Sequence, residues 1–377
     1  VWCCVAQQEG EQIFRRMPHV DIVVGTQQLY QLPEMLDRLE RQETSREISC
    51  DLDKEFTIPP FQKLLEETPS QAQSAEFRKF VTIMRGCNNY CSYCVVPTTR
   101  GREISRPVAD ILEEVRLLIA RGIKEITLLG QNVNSYGCTN PVAEKNTEKS
   151  TGFADLLKMV AEIPGVQRLR FTTSNPQDLS TELMQCFRDL PNLCPQFHLP
   201  VQAGSNAVLK KMQRKYTREV YLEKVAELRS CCPDIALCTD VIVGFPGETE
   251  ADFAQTMDLL ETVRFHGSYS FKYSDRPHTR SANFPDKVDE QVKGERLQRF
   301  QSRQDAVSLE RNREFLGKTV EVMVESDSSS GTQGRTGTNH IVHFTSPTEL
   351  LPGDLAQVTI THAGQHSLKG DILMKRN

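Results

Sequence analysis

The 377-residue sequence lacks any long apolar run, and no hydrophobic stretch approaches the roughly 18 residues that span a bilayer. It also lacks an excess of positive charge, because 45 Lys and Arg stand against 50 Asp and Glu, for a formal net charge of −5. This balance excludes a protein that coats nucleic acid with its whole surface, but it leaves room for a local basic groove. We therefore expect a cytoplasmic protein that makes no contact with membranes.

The 12 cysteines do not form the framework of a small secreted protein, because they are too scattered in a chain of this length. Reduced thiols together with a metal site are the better interpretation. Seven cysteines carry no motif, and we expect ordinary structural or buried thiols at these positions: Cys50, Cys138, Cys186, Cys194, Cys231, Cys232 and Cys238.

The amino-terminal residues follow an α/β pattern. The opening VWCCVAQ predicts a buried strand, QEGEQIFRRM a helix, VDIVVG a second strand and QQLYQLPEMLDRLERQ a second helix. Two strands make no sheet that could stand alone, so we expect residues 1–45 to be the carboxy-terminal part of a truncated α/β domain. The polar residues 46–78, rich in Glu and Gln, predict a linker.

The middle of the chain alternates between strands and amphipathic helices. Six strand-like runs are FVTIMRG, EITLLGQN, RLRFTTS, QFHLPV, ALCTDVIVGF and GSYSFKYS. Six βα units predict a partial barrel over residues 79–314, with its chemistry at the carboxyl ends of the strands. A long polar helix over about 288–316 leads to short strands with Gly, Ser and Pro between them, so residues 315–377 predict a small all-β barrel.

Three cysteines stand together in the stretch RGCNNYCSYCVVPTTRGREISRP, which begins at Arg85. Cys87, Cys91 and Cys94 form a C-x3-C-x2-C pattern just past the first barrel strand, and thiolates at this spacing can converge on one small object. Three thiolates on a [4Fe–4S] cubane leave one iron open for a bound molecule, which favours this cluster. A zinc site completed by a distant ligand, or cysteines that face a core, are the alternatives.

This motif, with LLGQNVNSYG, HLPVQAGS and DVIVGFPGET, resembles the radical S-adenosylmethionine (SAM) methylthiotransferases that modify tRNA, over almost the whole chain. The segment Asn132-Val133-Asn134 is most similar to the enzymes that make 2-methylthio-N6-isopentenyladenosine beside the anticodon. The resemblance implies a transferase that adds a methylthio group to adenine C2, whose C–H bond needs radical chemistry carried by a cofactor. A methylthiotransferase for a threonylcarbamoyladenosine tRNA or a ribosomal protein, and an inactive RNA-binding fragment, are the alternatives.

The resemblance also implies cofactors and partners. SAM would bind the open iron of the cluster held by Cys87, Cys91 and Cys94. An auxiliary [4Fe–4S] cluster in the amino-terminal methylthiotransferase domain would use Cys4, while Cys3 stands where glycine is usual and the other two ligands would precede Val1. We therefore expect a fragment of a longer gene product. The partners would be tRNA and an electron donor such as flavodoxin or ferredoxin, and the protein would be a monomer.

The candidate SAM contacts lie mainly at barrel strand ends. They are Tyr93, Gly130, Gln131, Asn132, Ser174, Gln202, Ser205, Gly244 and Gly247. The amide and hydroxyl groups can hydrogen-bond a polar ligand, and the glycines would let the backbone approach adenine closely. Simple turns are the alternative interpretation for these segments.

Positive charge is concentrated in two places. Arg100, Arg102 and Arg106 follow the cysteines, and we expect them to contact RNA because guanidinium groups suit phosphates and stack on bases. A second run offers Lys210, Lys211, Arg214, Lys215 and Arg218, which either line the same groove or form a solvated helix face. The carboxy-terminal module resembles the TRAM domain of this family, and its RNA binding would depend on shape and stacking.

Overall fold

The computed structural model describes residues 1–52, 76–138, 151–328 and 331–373. Its helices are α1 Cys4–Glu9, α2 Gln12–Arg16, α3 Leu32–Glu40, α4 Val96–Thr99, α5 Val108–Ala120, α6 Phe153–Ala161, α7 Thr181–Asp189, α8 Asn206–Lys211, α9 Arg218–Cys231, α10 Glu250–Val263 and α11 Glu290–Arg313. Its strands are β1 Ile22–Val24, β2 Glu47–Ser49, β3 Arg78–Thr82, β4 Met84–Arg85, β5 Ile104–Ser105, β6 Glu125–Leu129, β7 Arg168–Thr172, β8 Gln196–His198, β9 Ala236–Val243, β10 Gly267–Lys272, β11 Thr319–Ser328, β12 Gly331–Thr336, β13 Ile341–Phe344, β14 Leu355–Ala363 and β15 Leu368–Ile372.

The amino-terminal unit differs from the sequence prediction at both of its ends. The predicted opening strand is wrong: α1 begins at Cys4, and Trp2 makes only an isolated bridge to Val24. In this helix Ala6 is buried in a small apolar cluster with Ile13, Val20 and Val23. The predicted linker also begins too early, because β2 lies within it and pairs in parallel with β1. Residues 53–75 of that linker lie outside the described residues.

All six strands predicted for the barrel are confirmed. They form two parallel three-stranded sheets, in the orders β3-β6-β7 and β10-β9-β8, and an isolated bridge between Leu169 and Leu193 lies between them. Helix α5 shows why the units fold: Ile111, Val115 and Leu118 repeat on one helical face and are buried against the sheet. The predicted α/β fold with a partial barrel is therefore confirmed.

The barrel strands have a helix-covered face and an inner face. Along β9, Val241 and Val243 are buried in the hydrophobic core that the helices cover. Asp240 and Ile242 alternate with them and therefore point to the other side of the sheet, which is the interior of the partial barrel. We call this second side the inner face.

The carboxy-terminal module is a closed five-stranded barrel in the order β11-β12-β13-β15-β14, which confirms the predicted small all-β barrel. Its core is made by Val322, Val324, Val342, Val358, Ile360 and Leu368, with neighbouring side chains around them. Strand β12, with the sequence GTQGRT, was not predicted because it lacks the apolar alternation of a strand. Gly334 is needed there, since a Cβ atom would lie 2.4 Å from the carbonyl oxygen of Met323.

The small barrel packs at the amino ends of the large barrel's strands. Arg168 and Arg170 are buried at the start of β7, and they donate hydrogen bonds of 2.7 and 2.9 Å to the carbonyls of Arg335 and Gly337. The carboxyl ends of the strands, where the cysteine motif lies, are at the opposite end. Within the described ranges, no helix combines the length and apolar character needed to cross a bilayer.

Candidate functional site

The cysteine loop lies between β4 and β5, whose antiparallel pairing brings its two ends together. Gly86 begins the loop with φ +70°, and a Cβ atom there would lie 2.0 Å from the carbonyl oxygen of Arg102. The Gly86 N–H also donates to Oε1 of Gln131 at 2.6 Å. Gln131 therefore holds the start of the loop against the end of β6, which is a structural contact that the sequence did not reveal.

Each of the three motif sulfurs accepts one N–H group. Asn89 Nδ2 donates to Cys87 Sγ at 3.5 Å, and the Val96 backbone N–H donates to Cys94 Sγ at 3.5 Å. Arg214 Nη1 lies 3.4 Å from Cys91 Sγ and donates to it. Hydrogen bonds to sulfur are a means by which proteins tune cysteine-held iron–sulfur clusters, so this set of donors and sulfurs fits such a cluster.

The motif thiols also lie close enough to affect one another's ionisation. Burial, with the nearby Cys91 and Cys87 thiols, raises the pKa of the Cys94 thiol to about 11. Burial likewise raises the pKa of the Cys87 thiol. Without a bound cation the thiols of Cys87 and Cys94 therefore hold their protons at neutral pH. No three or more His, Cys, Asp or Glu side chains in the described part of the chain are grouped so as to hold a single metal ion, and all 12 cysteines, which lie within it, are free.

Two buried polar atoms near the strand ends are open to a ligand. Ser174 Oγ and Asn132 Oδ1 are buried and have no hydrogen-bond partner among the described residues. The amide nitrogen of Asn132 is engaged, because it donates to Asp178 at 2.7 Å and so holds the side chain in place. An unpaired buried acceptor costs free energy, so these atoms fit a polar ligand such as SAM. Gly130 lies beside them, and a Cβ atom there would collide with Met84.

Ser205 does not fit its predicted contact with SAM. Its hydroxyl accepts the Val208 N–H at the start of α8, at 3.5 Å, and also hydrogen-bonds the carboxylate of Asp252. Ser205 is 1% exposed, and both of these hydrogen bonds are made to other parts of the fold. We correct this assignment to a helix cap that ties α8 to α10.

The glycines of the DVIVGFPGET segment pack against lysine side chains. Gly244 has φ +70°, and a Cβ atom there would lie 2.3 Å from Cγ of Lys293. Gly247 has φ +73°, and a Cβ atom would lie 2.0 Å from Nζ of Lys211. Both therefore have a packing role, and their contact with adenine stays a prediction.

Gln202 and Tyr93 are two further candidate SAM contacts, and the fold constrains each of them in a different way. Gln202 has a left-handed backbone with φ 75°, and its N–H donates to the Asp240 carbonyl at 2.8 Å. This backbone conformation is costly for a residue other than glycine, and such positions cluster at functional sites. Tyr93 packs edge to face on Phe245, with ring centroids 6.4 Å apart, and burial holds its pKa well above the usual value.

The three arginines after the motif do not share one environment. Arg102 is exposed and Arg100 is partly buried, so both can reach a ligand. Arg106 is buried, pairs with the buried carboxylate of Glu114 and donates to the Thr82 carbonyl at 3.3 Å. Its predicted contact with RNA does not fit this interior position, and we correct its role to a structural ion pair.

The side chains of the second basic run also lie in different environments. Lys210, Lys211 and Lys215 are exposed, in agreement with a solvated or RNA-facing surface. Arg218 contacts Asp258 on the neighbouring helix α10. Arg214 turns inward to the cysteine loop and was not predicted as a site residue.

Cys4 begins α1, and Cys3 is exposed directly before it. The strand that the sequence predicts across these two cysteines is therefore replaced by the start of a helix. Helix α1 packs against α4, which follows Cys94 directly. The amino-terminal unit is further tied to that segment by Thr26 Oγ1, which donates to the Thr99 carbonyl at 2.6 Å.

The inner face carries aromatic side chains that sequence reasoning did not single out. Phe80 on β3 is 63% exposed, while Tyr269 and Phe271 on β10 are 64% and 54% exposed. Tyr269 is in register with Asp240, and its ring meets that of His198 edge to face at 6.1 Å. The alternation within GSYSFKYS would have revealed this row, because its two aromatic residues are two positions apart.

His198 and Asp240 form a polar pair on the same face, with His198 Nε2 2.8 Å from Asp240 Oδ1. Phe80 lies on β3 and the other two rings lie on β10. Among the described strands, β3 pairs only with β6, and β10 pairs only with β9. The aromatic groups therefore flank the lateral opening of the partial barrel from both sides. Large exposed aromatic groups around a polar pair can stack on and orient a flat heterocycle.

Comparisons with known proteins agree with this arrangement. The radical SAM superfamily model matches residues 81–260, and the TRAM domain model matches residues 313–373. The chain is 58% identical over 371 residues to the tRNA-2-methylthio-N(6)-dimethylallyladenosine synthase of Desulfotalea psychrophila. That alignment covers 98% of this chain and 81% of the relative. The synthase of the same name from Geotalea uraniireducens is 46% identical over 374 residues, with 98% and 81% covered.

Among solved structures, the coproporphyrinogen III oxidase of Escherichia coli, described as a radical SAM enzyme, is 16% identical with a TM-score of 0.43. That alignment covers 85% of this chain and 74% of the oxidase.

Proposed function

The chain belongs to the tRNA-2-methylthio-N(6)-dimethylallyladenosine synthase family, and we propose that it adds a methylthio group to C2 of N6-isopentenyladenosine in tRNA. Members of the radical SAM superfamily use a [4Fe–4S] cluster and SAM. The observation that carries the proposal is the cysteine motif at the carboxyl ends of the barrel strands, with an N–H donor on each sulfur.

Cys87, Cys91 and Cys94 are the residues that would hold the SAM-binding cluster. The free oxygens of Ser174 and Asn132 would accept hydrogen bonds from SAM. When bound, the cluster and SAM supply the radical chemistry that an unreactive aromatic C–H bond requires. The contribution of the chain is to fix these groups at one end of the barrel.

The inner face would receive the target base. A base must leave its stack before an enzyme can reach a ring carbon, and an extruded base gains stacking on aromatic side chains. Tyr269 and Phe271 on one edge, with Phe80 on the other, would enclose adenine and its apolar isopentenyl group. The His198–Asp240 pair would orient the polar edge of the ring.

The RNA around that base would lie along the outside of the lateral opening. The TRAM-type barrel sits at the amino ends of the strands and the cysteines at the carboxyl ends, so a bound tRNA would extend between them. Arg100, Arg102 and Lys210 would meet its phosphates near the cysteine end. Arg106 has no part in this surface.

The remaining assignments form part of the same proposal. Residues 79–314 would be the catalytic core, and residues 315–377 the RNA-binding module. Cys4 would be one ligand of an auxiliary [4Fe–4S] cluster, which is supported by the packing of α1 against the helix that follows Cys94. A low-potential donor such as flavodoxin or ferredoxin would supply electrons to the protein, which would act as a monomer in the cytoplasm.

Mass spectrometry of tRNA nucleosides tests this function. Deletion of the gene should remove 2-methylthio-N6-isopentenyladenosine and leave N6-isopentenyladenosine in its place. The complete gene should restore the modification, whereas the same gene with Cys91→Ala should not. A deletion strain with unchanged methylthio-isopentenyladenosine would contradict the proposal. Loss of a methylthio group from threonylcarbamoyladenosine instead would indicate the other class of tRNA substrate.

A further inference from the structure

Arg214 is the residue of the second basic run that contacts the cysteine motif, and the fold fixes its guanidinium on several sides. Nη2 donates to the Pro200 carbonyl at 3.0 Å, and Nε donates to the hydroxyl of Tyr216 at 2.8 Å. The guanidinium carbon also lies 5.1 Å from the centre of the Tyr216 ring. With two nitrogens and the ring face engaged, the third nitrogen is directed at Cys91 Sγ at 3.4 Å.

The hydrogen-bond partners of Arg214 among the residues that the structure describes are Tyr216, Cys91 and Pro200, and none of them is a carboxylate. The adjacent cation Lys215 is exposed. The chain thus directs one cation inward and leaves the next in water.

This contact differs in kind from those on the other two sulfurs. Cys87 accepts from the neutral amide of Asn89, and Cys94 accepts from a neutral backbone N–H. A charged donor makes a stronger hydrogen bond and withdraws more electron density from sulfur. Positive charge and hydrogen bonds near the sulfurs favour the reduced form of an iron–sulfur cluster and raise its reduction potential.

We propose that Arg214 is a positioning residue that orients the Cys91 thiolate and raises the reduction potential of the cluster held by the motif. This inference rests on the proposed function, because it requires the cluster, and it adds a role that the cysteine motif alone does not imply. The consequence is that reduction of the cluster by the low-potential donor becomes more favourable.

The test compares three variants of the anaerobically reconstituted full chain: Arg214→Gln, Arg214→Lys and, as a matched control, Lys215→Gln. Arg214→Gln and Lys215→Gln each remove one positive charge, from adjacent positions. Any difference between their midpoint potentials therefore comes from where the charge lies and not from the loss of charge itself. The readouts are iron and sulfide content, a redox titration followed by electron paramagnetic resonance without SAM, and SAM affinity by calorimetry.

We expect Lys215→Gln to keep the wild-type midpoint potential. Arg214→Gln should have a lower midpoint and an altered resonance signal, and Arg214→Lys should fall between it and the wild type, because lysine keeps the charge but not the forked geometry. If Arg214→Gln loses its iron, the Arg214→Lys variant provides the test. A midpoint potential below the wild-type value supports the inference, and a midpoint equal to the wild-type value overturns it.

Two other results would overturn the inference while leaving the proposed function intact. The first is equal midpoints for Arg214→Gln and the wild type at equal iron content. The second is an unchanged midpoint with weakened SAM binding, which would make Arg214 a ligand of SAM instead. A wild-type chain that assembles no cluster would refute the proposed function and this inference together.

Discussion

Replacing Arg106 with methionine should destabilise the barrel and leave its affinity for tRNA unchanged. Arg106 and Glu114 are 5% and 8% exposed, and the pair joins α5 to the loop that closes the cysteine segment. Arg106 also donates to the Thr82 carbonyl at 3.3 Å, and its own carbonyl accepts the hydroxyl of Tyr136 at 2.6 Å. Methionine would keep most of the volume but leave the Glu114 carboxylate buried without its partner.

The magnitude follows from that lost partner. Removing one member of a buried ion pair costs about 3–5 kcal/mol, because the remaining charge is neither solvated nor compensated. A loss of about 3 kcal/mol already lowers the folded-to-unfolded ratio by more than about a hundredfold. A second change, Glu114→Leu, removes the uncompensated carboxylate, so the double variant should recover much of the loss.

The assay combines thermal melting of the full chain with hydrogen exchange of the peptide that contains α5. Arg106→Met should melt earlier and exchange faster in α5, while tRNA affinity measured below the melting transition stays at the wild-type value. Arg102→Met is the matched control, and it should melt like the wild type but bind tRNA less tightly, since Arg102 is exposed. An Arg106→Met protein with wild-type melting and weakened tRNA binding would refute the reasoning.

Three further predictions concern the loop, the inner face and the junction of the two barrels. Gly86→Ala should lower the iron content after reconstitution, since its Cβ atom would collide with the Arg102 carbonyl, and a full complement of iron would contradict this. Tyr269→Ala should raise KM for tRNA by roughly 5- to 150-fold, from the 1–3 kcal/mol of base stacking, whereas Tyr269→Phe should stay near the wild type. Burial, then Arg311, lowers the pKa of His340 to about 4, below the ordinary 6.5, so the stability it contributes is present above pH 6.5 and is lost as the pH falls towards 4. His340→Phe should therefore reduce the fall in melting temperature between pH 6.5 and 4, while the buried His266 keeps part of it, and an unchanged pH profile would contradict this.

The barrel could be predicted from the sequence because its signals are local. Each βα unit carries its own apolar alternation and its own amphipathic helix, as in α5, so the order of elements follows from stretches of a few residues. The cysteine spacing is local in the same sense. The prediction for the opening segment failed because its six small or apolar residues fit a strand or a helix equally well. In the structure Ala6 packs in an apolar cluster as part of a helix.

The use of individual side chains depended on contacts between distant parts of the chain. Arg106 and Arg102 look alike in sequence, yet only the first meets a buried carboxylate on α5. The Ser205 hydroxyl hydrogen-bonds the carboxylate of Asp252, which lies 47 positions away in the chain. Arg214 lies in a run that resembles a solvated helix face, and it reaches Cys91 across 123 positions.

The sequence by itself determined the type of fold, the cysteine motif and the family to which the chain belongs, because each of these follows from patterns of residues that are close together in the sequence. Only the tertiary structure decided which cations stay in water and which turn inward. The reason is physical: the free energy of a charged side chain depends on its solvation and its partners, and both are set when remote strands and helices come together.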